Sequence, residues 1–278
     1  MVKYKSVFIS ELQGVPLNVL FIGDVVGQPG RRILKERLQD LRRQYDVDVC
    51  IANAENAAAG FGLTSPIARD LFSYGVDIIT MGNHTFSRAD LFRFIESEKR
   101  IVRPANVSAS WPGADYAVFD GGNKGKLLVL NLLGRVGMDP CDSPYAAADR
   151  LLAVHKAELG ARMVLVDFHA EATSEKQAMG YFLDGRVSLV IGTHTHVQTA
   201  DEKILERGTG HISDVGMTGA VRSVLGMNVE VSLRRLVDQL PAIYEPAAGK
   251  AMINAAAASL DPETGRCLSI ERLQIIET

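Results

Sequence analysis

Apolar residues fall into two kinds of stretch along this chain. Short continuous runs at 17–22, 47–52, 76–81, 163–166 and 187–191 have the pattern of strands buried on both faces. Between them, 31–45 carries Ile33, Leu34, Leu38 and Leu41 on one side, which predicts an amphipathic helix. Residues 65–74 open with Pro66 and close at Gly75, a second helix, and 88–99 form a third before a short strand at 101–102. A Gly/Pro-containing loop is expected at 25–30. Further on, 116–119 and 126–133 flank Asp120-Gly121-Gly122-Asn123, a hairpin signal, and 144–159 read as a helix closed by Gly160. A helix over 173–182, a second hairpin over 203–213, a loop at 214–219, a helix near 229–240 and strands near Ile243 and 268–276 complete the pattern. Alternating strands and helices followed by hairpins imply an α/β fold with mixed sheets. Two packed sheets with helices on the outside is the expected arrangement. No linker or internal repeat divides the chain, and the alanine run 255–258 is too short to count as low complexity. One domain over 17–278 with an N-terminal extension of 1–16 is expected.

Composition narrows the class. Of 278 residues, 47% are apolar and 23% charged, ordinary values for a soluble globular protein. A net charge of −3 gives no general attraction to an anionic membrane or to nucleic acid, so no stable nucleic-acid binding is expected. Arg31-Arg32, Arg42-Arg43 and Arg234-Arg235 read as solvated helix faces. Cys50, Cys141 and Cys267 are odd in number, far apart and outside any Cys-x-x-Cys spacing. That argues for a reducing, cytoplasmic setting without disulfides or a zinc finger. No apolar stretch approaches the ~20 residues of a membrane span, and residues 1–16 are too short in apolar content for a signal peptide. Exposed helices leave a homo-oligomer open.

The predicted strands end in chemistry. Asp24, Glu55-Asn56, Asn83-His84, His169 and His194/His196 follow five of them, where open α/β sheets bind ligands. Each has a plain reading: Asp24 or Asn56 as a helix cap, Glu55 as a loop carboxylate, His84 and His169 as histidines bonded to backbone. His155, in mid-helix, and His211, in a hairpin, take that plain reading. Yet four of the six histidines stand at strand ends, with carboxylates or amides at the others. His194 and His196 would point to one side of an extended chain. A nitrogen and oxygen set without thiolate suits manganese, iron or zinc. Seven or so ligands exceed one tetrahedral ion and suit two metals sharing a carboxylate.

The segments Leu20-Phe21-Ile22-Gly23-Asp24-Val25-Val26-Gly27, Asn53-Ala54-Glu55-Asn56 and Met81-Gly82-Asn83-His84-Thr85 carry a family resemblance. So do 167–176, 192–201 and Asp214-Val215-Gly216-Met217-Thr218-Gly219. Together they resemble the YmdB-like metallophosphoesterases from about Leu17 onward. The resemblance implies a calcineurin-like α/β/β/α sandwich. It implies a first metal on Asp24, Glu55, Asn56 and His196, a second on Glu55, Asn83, His169 and His194, and His84 as general acid. Val26 and Glu55-Asn56 depart from the wider calcineurin-like pattern, which usually has a His and a bridging Asp there. The implied activity is a phosphodiesterase for small-molecule diesters, 2′,3′-cyclic nucleotides foremost, by attack of metal-bound hydroxide. A phosphomonoesterase or nucleotidase would use the same centre. A nucleotide- or RNA-binding regulator that keeps its metals is the third reading, and a spare His84 speaks against it. The pocket walls are expected at 103–106 and 214–219.

Overall fold

The computed structural model describes residues 14–277, apart from the side chains at positions 155 and 157. Residues 1–13 of the expected extension lie outside it. In chain order the strands are β1 Leu17–Ile22, β2 Asp24–Val25, β3 Val49–Asn53, β4 Ile78–Thr80, β5 Ile101–Val102, β6 Tyr116–Asp120 and β7 Lys126–Leu133. They continue with β8 Met163–His169, β9 Leu189–Thr193, β10 Lys203–Ile204, β11 Gly210–Ile212, β12 Met217–Ala220, β13 Ala251–Leu260 and β14 Cys267–Ile276. The helices are α1 Gly27–Gln44, α2 Ser65–Tyr74, α3 Leu91–Ser97, α4 Pro144–Glu158, α5 Thr173–Leu183 and α6 Val229–Leu236. No helix of the described residues is long and apolar enough to cross a membrane.

One sheet runs β2-β12-β13-β1-β3-β4-β5, with β14 on the outer edge of β13, and the other runs β10-β11-β9-β8-β7-β6. In the first sheet the parallel run β1/β3/β4/β5 ends at the edge strand β5 and meets antiparallel β13 beside β1; in the second, the parallel run β7/β8/β9/β11 is flanked by antiparallel β6 and β10. The expected mixed sheets with outer helices are therefore present. Strand alternation divides the side chains among three apolar layers. Leu20 and Ile22 of β1 face α1 and α2, whereas Leu17, Val19 and Phe21 enter the space between the sheets. On β8, Met163 and Leu165 point inward and Val164, Val166 and Phe168 pack under α4 and α5.

Four segments depart from the expected pattern, each for a physical reason. The loop expected at 25–30 is already β2 and the first turn of α1, because Pro29 is tolerated where helical N–H groups lack partners anyway. Residues 217–220 are strand β12, not loop, since they pair with β2 and β13. The alanine run belongs to β13, a strand that alternation could not reveal. Alanine is a poor strand former, but here Ala255, Ala256 and Ala257 stand opposite the bulky Ile22, Phe21 and Leu20 of β1. No strand forms at Ile243, which is 87% exposed.

Candidate metal centre

The parallel strands of both sheets deliver their carboxyl ends to one edge, and the candidate residues meet there. Glu55 is the hub. Its Oε1 lies 3.1 Å from His169 Nε2 and accepts from Asn56 Nδ2 at 3.0 Å, while its Oε2 accepts the His84 backbone N–H at 2.9 Å. Asn83 Oδ1 and His194 Nδ1 each stand 3.0 Å from the same His169 Nε2. Donor atoms of Glu55, His169 and His194 all lie within 4.8 Å of one another. On the other side of Glu55, His196 Nε2 is 3.2 Å from Asn56 Nδ2 and 3.7 Å from Asp24 Oδ1. All seven predicted ligands thus converge, in two groups that share Glu55.

His194 and His196 do not point to one side of an extended strand. β9 ends at Thr193, and the two histidines adopt φ of 94° and 65°. That left-handed backbone costs energy in non-glycine residues and persists only when surrounding contacts enforce it. Here the enforcement is a buried ion pair. Lys176 Nζ donates to Asp214 Oδ2 at 2.7 Å and to Thr195 Oγ1 at 3.0 Å, and Thr195 donates its backbone N–H and hydroxyl to the same Asp214 oxygen. The turn splits the pair, sending His194 to the His169 group and His196 to the Asp24 group. Likewise Asn83 and His84 lie in a turn, so the turn, not an extended chain, sends Asn83 toward His169 and His84 into the pocket wall.

Each imidazole has its outward nitrogen occupied. Thr193 Oγ1 spends its proton on Asp167 Oδ1 at 2.6 Å, so His169 Nδ1, 2.9 Å away, must donate to it. His194 Nε2 donates to Glu171 at 3.0 Å, and His196 Nδ1 donates to the Leu225 carbonyl at 3.0 Å. Such partners fix tautomer and ring orientation in metal sites, and all three rings turn their other nitrogen inward. Asp167 also accepts from Asn53 Nδ2 at 3.0 Å, which ties β8 of one sheet to β3 of the other beneath the cluster.

Electrostatics complete the picture. Burial pushes the Asp24 carboxyl up to about 6 despite nearby histidines, and its Oδ1 is buried with no hydrogen-bond partner. Burial also pushes His194, helped by the charge on His169, down to about 3, so its Nδ1 keeps a lone pair. For His169, burial disfavours the proton, but the Glu55 carboxylate outweighs it and raises the pKa. A Cβ at Gly82 would fall against the Glu55 carboxylate and His169 Nε2, so that cradle is open only because residue 82 has no side chain. An orphaned carboxylate oxygen, inward lone pairs and an all-nitrogen-and-oxygen donor set fit a cation. Asn56 alone turns its amide NH₂ inward; offering Oδ1 takes a half-turn of that amide.

A pocket of about 460 Å³ opens over the cluster, lined on one side by Glu55, Asn56, His84, Glu171, His194 and His196. The expected walls lie elsewhere. Arg103 and Asn106 are buried in contacts with Pro104, Leu133 and Asp142, and Asp214 braces Thr195 from below. Phe61, packed against His84, and residues from Val224 to Tyr244 complete the lining instead. Sequence reasoning also missed Asn53, Asp167, Glu171, Lys176 and Thr193. Asp167 had a signal: it falls in step with Met163, Leu165 and His169 on one face of β8. Cys50 and Cys267 are buried, which raises both thiols, Cys267 to about 12, and no cysteine joins the cluster.

A two-sheet α/β sandwich with this donor cluster at the strand ends defines a metal-dependent phosphoesterase. The profile of the YmdB-like protein family matches residues 20–273, and the chain belongs to that family. It is 44% identical over 259 residues to the 2′,3′-cyclic-nucleotide 2′-phosphodiesterase of Bacillus subtilis (strain 168), covering 93% of this chain and 97% of that one. The crystal structure of a hypothetical protein from Thermus thermophilus superposes with a TM-score of 0.88 at 42% identity, over 94% of this chain and all (100%) of that one. A novel phosphatase from Mycoplasma pneumoniae gives a TM-score of 0.88 at 36% identity, over 95% of each chain.

Proposed function

We propose that this chain, through a catalytic domain spanning 17–278, hydrolyses 2′,3′-cyclic phosphodiesters of nucleosides at a two-metal centre. The observation that carries this is the meeting of two donor groups at one buried carboxylate, Glu55. Asp24, Asn56 and His196 would hold one ion with it, and Asn83, His169 and His194 the other. The donors suit iron or manganese, with zinc also compatible. When bound, such a pair polarises phosphate oxygens and makes water a nucleophile at neutral pH.

The protein's own residues do the rest. The ion pair of Lys176 with Asp214 and the Thr193–Asp167 link hold the three imidazoles in place before substrate arrives. His84, tethered to Glu55 through its backbone, packs its ring edge-on against Phe61 with centroids 5.0 Å apart. From that wall its imidazole donates a proton to the departing 2′ oxygen, leaving a 3′-monoester. Diesters are favoured over monoesters by charge. Among the described residues the lining includes no Lys or Arg, and the Glu171 carboxylate stands at the pocket's mouth. A dianionic monoester meets more repulsion from that carboxylate than a singly charged diester does.

His84→Ala tests the assignment. It should keep two metals per chain yet slow 2′,3′-cyclic nucleotide hydrolysis by about 10²–10⁴-fold, the usual worth of a positioned acid. The loss should be smaller with bis(p-nitrophenyl) phosphate, whose leaving group needs no proton. Equal losses on both substrates would reduce His84 to positioning, and a lost metal would make it a ligand.

A further inference from the structure

The pocket over the cluster has two unlike walls. One is built from the donor residues and His84. The other is apolar and comes from the segment around α6, with Leu225, Met227, Leu236 and Tyr244 facing the cavity. Leu225 and Leu236 are 48% and 66% exposed, so apolar surface is left uncovered beside the phosphate-facing groups. Tyr244 is fixed from behind: the Arg235 guanidinium lies 4.3 Å from the ring centroid and donates to the Ala242 carbonyl at 2.6 Å. The segment is anchored again where Asn228 N–H donates to the Glu245 carbonyl at 2.8 Å.

We propose that this wall is a nucleobase subsite, with Tyr244 stacking on the base while the donor residues take the cyclic phosphate. The inference rests on the phosphodiesterase reading above. Its basis is a match of polarity. A nucleoside 2′,3′-cyclic phosphate carries a charged ring at one end and a flat, weakly polar base at the other. The pocket volume of about 460 Å³ lies within the ~300–1,000 Å³ usual for small-ligand sites. Docking a base removes exposed Leu225 and Leu236 surface from water. Beside the Tyr244 hydroxyl, Ser232 is the polar side chain on this wall. The hydroxyl of Ser232, also in the lining, already donates to the Asn228 carbonyl at 2.8 Å. Recognition therefore runs through stacking and contact area, which every base can satisfy.

Steady-state kinetics on the metal-loaded enzyme test this, using the 2′,3′-cyclic phosphates of adenosine, guanosine, cytidine and uridine beside base-free glycerol 1,2-cyclic phosphate. Tyr244→Ala should raise KM for all four nucleotides by about 5- to 150-fold, the span of one base–aromatic stack, with kcat nearly unchanged. The base-free diester should be hydrolysed as by wild type, and Tyr244→Phe should restore the nucleotides. Calorimetric titration of adenosine into metal-stripped protein should show the same loss of affinity without any turnover. Leu236→Ala, on the helix, provides a second probe should Tyr244→Ala fold poorly, and should raise KM in the same base-dependent way. Equal changes for base-bearing and base-free diesters, or strong preference for one base, would overturn the subsite. A wild-type enzyme that cleaves glycerol 1,2-cyclic phosphate but no nucleoside cyclic phosphate would overturn the substrate reading beneath it.

Discussion

Replacing Thr193 by valine removes one oxygen from beneath the cluster and changes the side-chain shape little. That oxygen serves two partners, accepting from His169 Nδ1 at 2.9 Å and donating to Asp167 Oδ1 at 2.6 Å. Thr193, His169 and Asp167 are all fully buried, so water cannot take its place. Each buried group left without a partner costs ~1–3 kcal/mol, so the variant should lose ~2–6 kcal/mol of stability. At roughly 2–4 °C per kcal/mol for a chain of this size, the metal-free protein should melt ~5–20 °C lower. The second effect is on the metal. With no acceptor on Nδ1, nothing holds the His169 ring with Nε2 toward Glu55, and loss of such an outer partner typically costs ~10–100-fold in affinity. Scanning calorimetry in chelator reads the first effect, and competition against a chromophoric chelator reads the second. Thr193→Ser keeps the hydroxyl and should retain most of both. A Thr193→Val protein that melts within about 2 °C of wild type and binds metal as tightly would refute the relay, since a made bond of this kind cannot be removed at no cost.

Two further outcomes follow from the same geometry. Gly82→Ala, which removes no ligand, should purify with metal content reduced by at least half, because the new methyl would press on the Glu55 carboxylate and His169 Nε2; full metal content by elemental analysis would mean the cluster is arranged otherwise. Metal binding should also release protons. Burial disfavours charge on His169, but the Glu55 carboxylate 3.1 Å away outweighs it, so the raised pKa leaves the metal-free imidazole protonated at neutral pH. His194, at about 3, has no proton to lose. A cation must expel the His169 proton, so affinity should rise with pH by about tenfold per unit through neutrality and level off once His169 is deprotonated above it. Calorimetry in buffers of different protonation enthalpy should find about one proton released per chain from this site, and affinity independent of pH would contradict the pairing.

Much of this protein is legible in its sequence because strands and helices impose their own periods. The apolar runs at 17–22 and 187–191 have the length and continuity of strands buried on both faces, and residues following such strands in a parallel sheet gather at one edge. That argument alone gathers Asp24, Glu55, Asn83, His169 and His194. The support beneath them was not legible. Asn53 and Asp167 are 114 positions apart and meet only because two sheets pack face to face. Lys176 reaches Thr195 and Asp214 because α5 packs against the sheet that carries β9. β13 is composed largely of alanine, so its strand character comes from the bulky β1 beside it and not from its own residues. The pocket wall is least legible: Leu225 and Tyr244 lie in loops on either side of α6, which carries Leu236, and their position depends on long-range contacts. Local sequence carries periodicity and ligand chemistry. Which distant side chains close a tautomer-fixing bond or complete a wall is decided by how the layers pack, and no period along the chain encodes that.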